Sequence, residues 1–163
     1  MTALEGRRLS SRAALALFVV PCLAALAVGG IVTAPAVAAW YPTLAKPAWT
    51  PPDWLFGPVW SVLYLTMGIA AWLVWRREGW AGARGALILF WVQLAFNALW
   101  SPLFFGLRSP LLGLIDIAML LAALIATTIA FWRARPIAGL LFVPYLAWVG
   151  YASALNAAIW AAN

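Results

Sequence analysis

Histidine is missing from the 163 residues, and cysteine occurs once, as Cys22 within an apolar segment. These absences exclude a disulfide within the chain and a zinc site of the usual histidine and cysteine ligands. The usual histidine ligand of haem iron is missing as well. Aspartate and glutamate together number four, and the sequence offers no acid–base pair, nucleophile triad or metal cluster for conventional catalysis.

Hydrophobic residues make up 67% of the chain and charged residues only 9%. Apolar runs at this density are typical of transmembrane helices, and the length suits one compact bundle. The net charge of +6 comes from basic residues at the ends of the apolar segments, which argues against a nucleic-acid partner. The sequence therefore predicts an all-α integral membrane bundle in contact with the lipid bilayer.

Charged, glycine-containing and proline-containing turns separate the apolar segments. Residues 1–12 form a basic N-terminal tail, and residues 13–163 form a single domain. We predict five transmembrane helices, at roughly residues 13–32, 54–75, 83–105, 111–132 and 137–161. The first segment also has features of a cleavable signal peptide, with small residues near Ala36 and Ala38. Its length is close to the ~20 residues that span a bilayer, so we favour an uncleaved first helix.

The basic residues predict the orientation of the bundle. With five spans, the N-terminus and the second and fourth loops lie on one side of the membrane. That side carries Arg7, Arg8, Arg12, Arg76, Arg77, Arg84, Arg133 and Arg135. The opposite side carries Lys46 and Arg108. Because cytoplasmic loops are enriched in arginine and lysine, we predict a cytoplasmic N-terminus and a first loop on the outer face.

The stretch of residues 40–60 reads WYPTLAKPAWTPPDWLFGPVW and is rich in tryptophan and proline. Proline fixes φ and removes a backbone donor, so the stretch cannot be one continuous helix. Two interpretations stay open for it. It is either an aromatic belt at the level of the lipid headgroups or a lid over a ligand site.

Polar side chains recur among aromatic residues inside three predicted helices. The residues that form these mixed polar, aromatic and small-residue faces include Trp60 and Tyr64 on the second helix, Gln93, Asn97 and Trp100 on the third, and Tyr145, Trp148, Ala152 and Asn156 on the fifth. Spacings of three and four residues place each set on one helix face. Amides in hydrocarbon need partners, so these faces either pin neighbouring helices by hydrogen bonds or line a flat apolar pocket.

A single acid, Asp116, lies within the fourth helix. A carboxylate in a transmembrane segment is costly, so it should face the bundle interior, be protonated or pair with a cation. Arg108 is eight residues back, about two turns, so a pairing with Asp116 would be stretched. A structural role is favoured over a proton-carrying role because no relay partner is present.

Three segments resemble one known family across roughly residues 15–160. WYPTLAKPAWTPPDW, QLAFNALWSPLFFG and VPYLAWVGYASALN are similar to motifs of the translocator proteins, also called tryptophan-rich sensory proteins or peripheral benzodiazepine receptors. The resemblance is to the bacterial-type members and implies a multi-pass protein of the cell envelope. It also implies five transmembrane helices, a ligand cavity under the first loop and a homodimer through the third helix, with Gly82 and Ala86 at the contact.

The resemblance also implies roles for individual residues. It assigns ligand binding to Trp40, Tyr41, Trp49, Trp60, Asn97, Trp100, Tyr145, Trp148 and Ala152, beside Tyr64 from the helix pattern. Trp60 and Trp148 match tryptophans that are involved where members degrade protoporphyrin in light. Asp116 occupies the acidic position of the family. No metal site and no obligatory cofactor are expected.

The ligands that the resemblance implies are tetrapyrroles such as protoporphyrin IX and haem, isoquinoline and benzodiazepine compounds, and sterols. Because histidine is missing, we expect a metal-free porphyrin to be an easier ligand than haem. Animal members carry a cholesterol motif of tyrosine and arginine after Leu-Asn, where this chain has Ala157, Ala158 and Ala161. The leading hypothesis is a porphyrin receptor, sensor or carrier. The alternatives are a light- and oxygen-dependent porphyrin-degrading enzyme and a porphyrin or sterol transporter.

Overall fold

Five long helices make up most of residues 10–163, the part of the chain that the computed structural model describes. They are α1 (Ser11–Ala39), α2 (Asp53–Gly82), α3 (Arg84–Ser101), α4 (Pro110–Ala134) and α5 (Pro136–Ala162). Each is long and apolar enough to cross a membrane, α3 together with the π-helical turn Pro102–Gly106 that continues it. The predicted all-α bundle of five spans is confirmed, and the described residues contain no strand. Most of the predicted basic tail, residues 1–9, lies outside the described residues.

The first helix extends about seven residues beyond its predicted end at residue 32. The added segment reads TAPAVAA, and its alanines favour helix strongly enough to offset Pro35, which removes one backbone hydrogen bond. The backbone N–H of Trp40 donates to the Ala36 carbonyl at 2.8 Å and closes the last turn. The loop between α1 and α2 is therefore residues 40–52, which we call the lid loop, and it contains the 3₁₀ turn Tyr41–Thr43.

The rest of the tryptophan- and proline-rich stretch belongs to α2. Asp53 lies in its first turn, where a carboxylate interacts favourably with the helix dipole. Pro58 follows within the next turn, and most of α2 continues beyond it. Near the other end, Gly79 has φ 68° and ψ −174°, a conformation that glycine adopts readily because it has no Cβ. The chain turns there into α3.

The helices form a ring in the order α1, α2, α5, α4 and α3, and α3 closes the ring against α1. Glycines allow the closest approaches. A Cβ built on Gly68 of α2 would lie 2.8 Å from the Cα of Val19 on α1. A Cβ on Gly139 of α5 would lie 2.7 Å from the Cα of Trp132 on α4. Backbones therefore touch directly at these two helix pairs.

The two halves of the bundle are packed differently. The half near the α2–α3 turn is filled by buried phenylalanines from four helices: Phe18, Phe90, Phe131 and Phe142. Phe90 stacks on Phe131 at a centroid distance of 6.3 Å, and Phe131 meets Phe142 edge to face at 4.9 Å. The half beneath the lid loop is hollow, and the candidate site lies there.

Candidate functional site

A cavity of about 480 Å³ lies beneath the lid loop and is lined by residues of all five helices. Its walls are mainly aromatic: Tyr41, Phe56, Trp60, Tyr64, Trp100, Phe104, Phe105 and Trp148. The α1 side is made of small residues, among them Gly29, Gly30 and Ala34. A volume of this order and a mainly apolar lining with few polar groups are typical of sites for small organic ligands.

Seven of the ten predicted ligand residues line this cavity. They are Tyr41, Trp60, Tyr64, Asn97, Trp100, Trp148 and Ala152. They come from the lid loop and from α2, α3 and α5, so the fold brings together side chains that are far apart in sequence. Their role in ligand binding stays a prediction, but their convergence on one cavity follows from the structure.

The other three predicted ligand residues lie outside the lining. Trp40 packs edge to face on Phe104 at 5.7 Å, behind the cavity wall. Trp49 packs on Tyr151 at 5.5 Å and is 48% exposed. Tyr145 is fully buried and supports Trp60 from behind, with ring centroids 6.2 Å apart. These three side chains shape the walls and the lid loop rather than the cavity surface.

A chain of hydrogen bonds joins α2, α3 and α5 under the cavity floor. The Tyr64 hydroxyl donates to the Asn97 side-chain oxygen, and the Asn97 amide donates to the Tyr145 hydroxyl. Tyr145 donates in turn to Gln93 Oε1 at 2.9 Å, and Gln93 Nε2 donates to the Met67 sulfur at 3.7 Å. Gln93 thus acts as an interhelical anchor, whereas Asn97 both anchors helices and lines the cavity.

Asn156 of α5 connects two other helices, α3 and α4, at the cavity wall. Its side-chain oxygen accepts a hydrogen bond from Trp100 Nε1 at 3.2 Å, and its amide donates to the Pro110 carbonyl at 2.8 Å. The sequence analysis placed Asn156 on the same face of α5 as Tyr145 and Trp148 but not among the predicted ligand residues. Its bonds to the start of α4 were not foreseeable, because no local pattern relates residues 46 positions apart.

One hydrogen-bond donor at the cavity is unused. The indole N–H of Trp148 is buried and has no partner within residues 10–163. A buried donor without a partner costs about 1–3 kcal/mol. The N–H has almost no accessible surface, so an acceptor group on a ligand would reach it only after the indole ring turns. Trp148 also packs against Phe56 at 5.8 Å, which fixes the indole at the cavity wall.

Asp116 is placed next to the cavity but does not line it. The side chain is 5% exposed, and its Oδ2 atom has no hydrogen-bond partner in the described residues. Ile117 and Leu120, on the same helix, do line the cavity. The stretched pairing with Arg108 that the sequence left open is not among the contacts of the described residues. Arg108 instead occupies the turn before α4, where its φ is 51°.

The lid loop is tied to α5 at two points. The Asn163 side chain accepts from the Ala45 backbone N–H at 3.0 Å and donates to the Ala45 carbonyl at 3.1 Å. The Tyr151 hydroxyl donates to the Trp49 carbonyl at 2.7 Å. Both contacts join residues more than 100 positions apart, so they fasten the loop to the C-terminal end of the bundle.

Within the lid loop, Lys46 holds the chain around Tyr41. Its ammonium group donates to the Tyr41 carbonyl at 2.7 Å and lies 4.6 Å from the centre of the Tyr41 ring. Burial, the Asp53 carboxylate and Tyr151, in decreasing order, raise the pKa of Tyr41 to about 12. The phenol of Tyr41 is therefore neutral at physiological pH and offers the cavity mouth a hydroxyl rather than an anion.

Several lining residues were not predicted, and they fall into two groups. Phe56, Phe104 and Phe105 are additional aromatic residues, which apolar helices use both for packing and for ligand contact. The small residues of α1 have no polar or reactive group that could mark them as site residues. The Gly29–Gly30 pair would permit close approach of another backbone, but a Cβ built on Gly30 meets no atom within 4 Å.

The model of the TspO/MBR family matches residues 17–161 of the chain. The chain is 45% identical to the tryptophan-rich protein TspO of Archaeoglobus fulgidus over 144 residues, which cover 86% of this chain and 93% of that protein. It is 41% identical to the human translocator protein over 126 residues, which cover 76% and 75% of the two chains.

A third relative, the tryptophan-rich sensory protein of Cereibacter sphaeroides, is 42% identical over 117 residues, which cover 72% of each chain. The family match extends over all five spans, including the segments that carry the sequence motifs. The resemblance that the three motifs suggested is confirmed.

Proposed function

We propose that the chain, which belongs to the TspO/MBR family, is a membrane receptor, sensor or carrier that binds flat apolar tetrapyrroles such as protoporphyrin IX. The observation that carries the proposal is the cavity beneath the lid loop, walled by aromatic rings from several helices. Aromatic side chains bind planar conjugated ligands by stacking and by edge-to-face contacts. The multi-pass membrane character of the bundle suits a ligand that dissolves in lipid.

The unused donor of Trp148 adds a directional element to this site. Protoporphyrin IX carries two carboxylates that accept hydrogen bonds, whereas its ring nitrogens point to the centre of the macrocycle. A carboxylate would give the indole N–H a partner once the ring turns toward the ligand. The carbonyl of an isoquinoline-type carboxamide would satisfy the same donor, so both ligand classes suit one cavity.

Haem has weaker support than metal-free porphyrin. Cys22 is buried in the core and does not line the cavity. The phenol oxygens of Tyr41 and Tyr64 do reach the lining, but Tyr64 already bonds to Asn97. Iron coordination would therefore depend on Tyr41 or on a rearrangement of the hydrogen-bonded chain.

Filling the cavity tests the proposed binding site. Ala152 lines the cavity from α5, so Ala152→Phe places a ring where the ligand would lie. We expect this variant to bind protoporphyrin IX about tenfold more weakly or worse, a loss of roughly 1.4 kcal/mol. The measurement is a tryptophan-fluorescence quenching titration of the purified protein. Ala154→Phe, on the exposed side of the same helix, is the matched control and should retain the wild-type affinity. Equal affinities for all three proteins would place the ligand elsewhere.

We also propose that the lid loop faces the outside and the α2–α3 turn faces the cytoplasm. The support is the excess of arginine at the latter end, where the described residues include Arg12, Arg76 and Arg133. A membrane-impermeant maleimide applied to intact cells should label Ala45→Cys and spare Glu78→Cys, since both positions are exposed. Native Cys22 is buried and serves as the unlabelled background. Labelling with the opposite pattern would invert the orientation.

A further inference from the structure

The cavity is only partly enclosed, and its wall contains small residues where α1 and α2 face each other. Gly30 and Ala34 on α1 and Gly57 on α2 line the cavity, and all three have a large accessible fraction. A Cβ built on Gly30 or on Gly57 would meet no atom within 4 Å. The wall between α1 and α2 is therefore free of packed side chains at these positions.

The helix register shows that this part of the wall lies where two helices that touch elsewhere diverge. Val19 and Gly68 are in direct contact where α1 and α2 meet. Gly30 follows Val19 by eleven residues, and Gly57 precedes Gly68 by eleven. Eleven residues are about three helical turns, or roughly 16 Å, so each glycine lies on the same face as the residue that makes the contact. In straight antiparallel helices Gly30 and Gly57 would meet, yet each faces open space.

Prolines account for this divergence in physical terms. Pro21 lies in α1 between Val19 and Gly30, and Pro58 lies in α2 next to Gly57. A proline within a helix removes a hydrogen bond and crowds the preceding turn, which favours a bend. The pair of helices is therefore closed at Gly68 and open toward the lid loop.

The path through the lid loop is, by contrast, closed by specific contacts. Asn163 makes two hydrogen bonds to the backbone of Ala45, and Tyr151 holds the carbonyl of Trp49. Opening this path would break these bonds. At Gly30 and Gly57, by contrast, no side chain fills the gap between α1 and α2, and no contact would have to be broken there.

We propose that the gap between α1 and α2 is a lateral portal through which a bilayer-dissolved tetrapyrrole reaches the cavity while the lid loop stays fastened. This inference rests on the proposed function, because it assumes that the cavity binds such a ligand. The ligand chemistry suits the route: a planar apolar molecule partitions into lipid and presents only an edge to a gap lined by glycine and alanine.

Narrowing the portal tests the inference through rates. Gly30→Leu and Gly57→Leu introduce side chains into open space and so should leave the fold intact. In proteoliposomes, stopped-flow quenching by protoporphyrin IX should show association slowed about tenfold. Because both glycines also line the cavity, the association rate rather than Kd is the quantity that reports on the portal. Ala27→Leu, exposed on α1 but not part of the cavity lining, should keep wild-type rates.

Loosening the lid loop gives the complementary test. Asn163→Ala combined with Tyr151→Phe removes the side-chain bonds that fasten the loop. A lateral route predicts an unchanged association rate, whereas a route through the lid loop predicts faster association. Wild-type rates in the Gly30 and Gly57 variants, a weaker Kd without slower association, or faster association in the loosened variant would each overturn the portal. No binding by the wild-type protein would instead overturn the proposed function on which the portal rests.

Discussion

Trp60→Ala combined with Trp148→Ala should weaken protoporphyrin IX binding by about 100-fold or more. Both rings line the cavity, and Trp148 also carries the buried N–H without a partner. Each ring is expected to contribute roughly 1–2 kcal/mol through buried area and aromatic contact, and about 2.7 kcal/mol in total is a factor of 100. Because the variant lacks two tryptophans, the titration should follow the absorbance of the porphyrin rather than protein fluorescence.

A matched variant separates cavity contacts from general loss of tryptophan. Trp54 and Trp160 are 72% and 49% exposed and do not line the cavity. Trp54→Ala combined with Trp160→Ala should bind as the wild type does. Equal weakening in both double variants would mean that porphyrin binds to surface indoles, and the assigned cavity would then be wrong.

The same double variant addresses the degrading activity that the family resemblance implies. Trp60 lies 5.6 Å from Tyr64 and 6.2 Å from Tyr145 between ring centroids, so an electron donated by the indole could be replaced from a neighbouring phenol. In such a reaction the indole reduces the excited porphyrin, the porphyrin passes the electron to oxygen, and the superoxide formed is the oxidant that attacks the macrocycle. Bleaching in light and air that is equal with wild type, variant and no protein would exclude catalysis.

Gly68→Leu should destabilise the bundle by about 3 kcal/mol or more, the upper end of the effect of overpacking a close contact. The first atom of the new side chain would lie 2.8 Å from the Val19 Cα and 3.1 Å from the Phe18 carbonyl oxygen, both of which are backbone atoms. Backbone cannot move aside as a flexible side chain can, so α1 and α2 must separate. Thermal unfolding in detergent should show a midpoint lowered by roughly 10 °C.

Gly150→Leu is the matched control for this substitution. Gly150 lies within α5, and a Cβ built there would meet no atom within 4 Å. Leucine at this position should leave the unfolding midpoint within about 2 °C of wild type, since surface substitutions change stability little. If Gly68→Leu behaves as Gly150→Leu does, α1 and α2 do not pack in the register described here, and the portal loses its geometric basis.

Much of the architecture could be predicted because a membrane imposes strong local rules. Apolar runs give the spans directly, since every backbone group in lipid must be bonded within its helix. The helix faces that carry Trp60, Asn97 and Trp148 could be predicted for a related reason. Amides and indoles in apolar helices need partners, so they face inward, and inward faces of several helices share one space.

The rest could not be predicted because it depends on contacts between distant residues or on residues without a chemical signal. The lid loop is held by Asn163, which is 118 positions from Ala45. The predicted end of α1 at residue 32 was too early because the helix continues through Pro35 to Ala39. The portal is marked by Gly30 and Gly57, which are informative only once the contact of Val19 with Gly68 fixes the register.

The central claim is that the cavity beneath the lid loop is the tetrapyrrole site, and a structure of the protein with protoporphyrin IX bound tests it most directly. The account predicts density for the macrocycle inside the cavity, in contact with Trp60 and Trp148 and with an acceptor atom facing the Trp148 N–H. Density in the shallow outer groove between α1 and α3, beside Pro21 and Trp91, with the cavity empty, would contradict it.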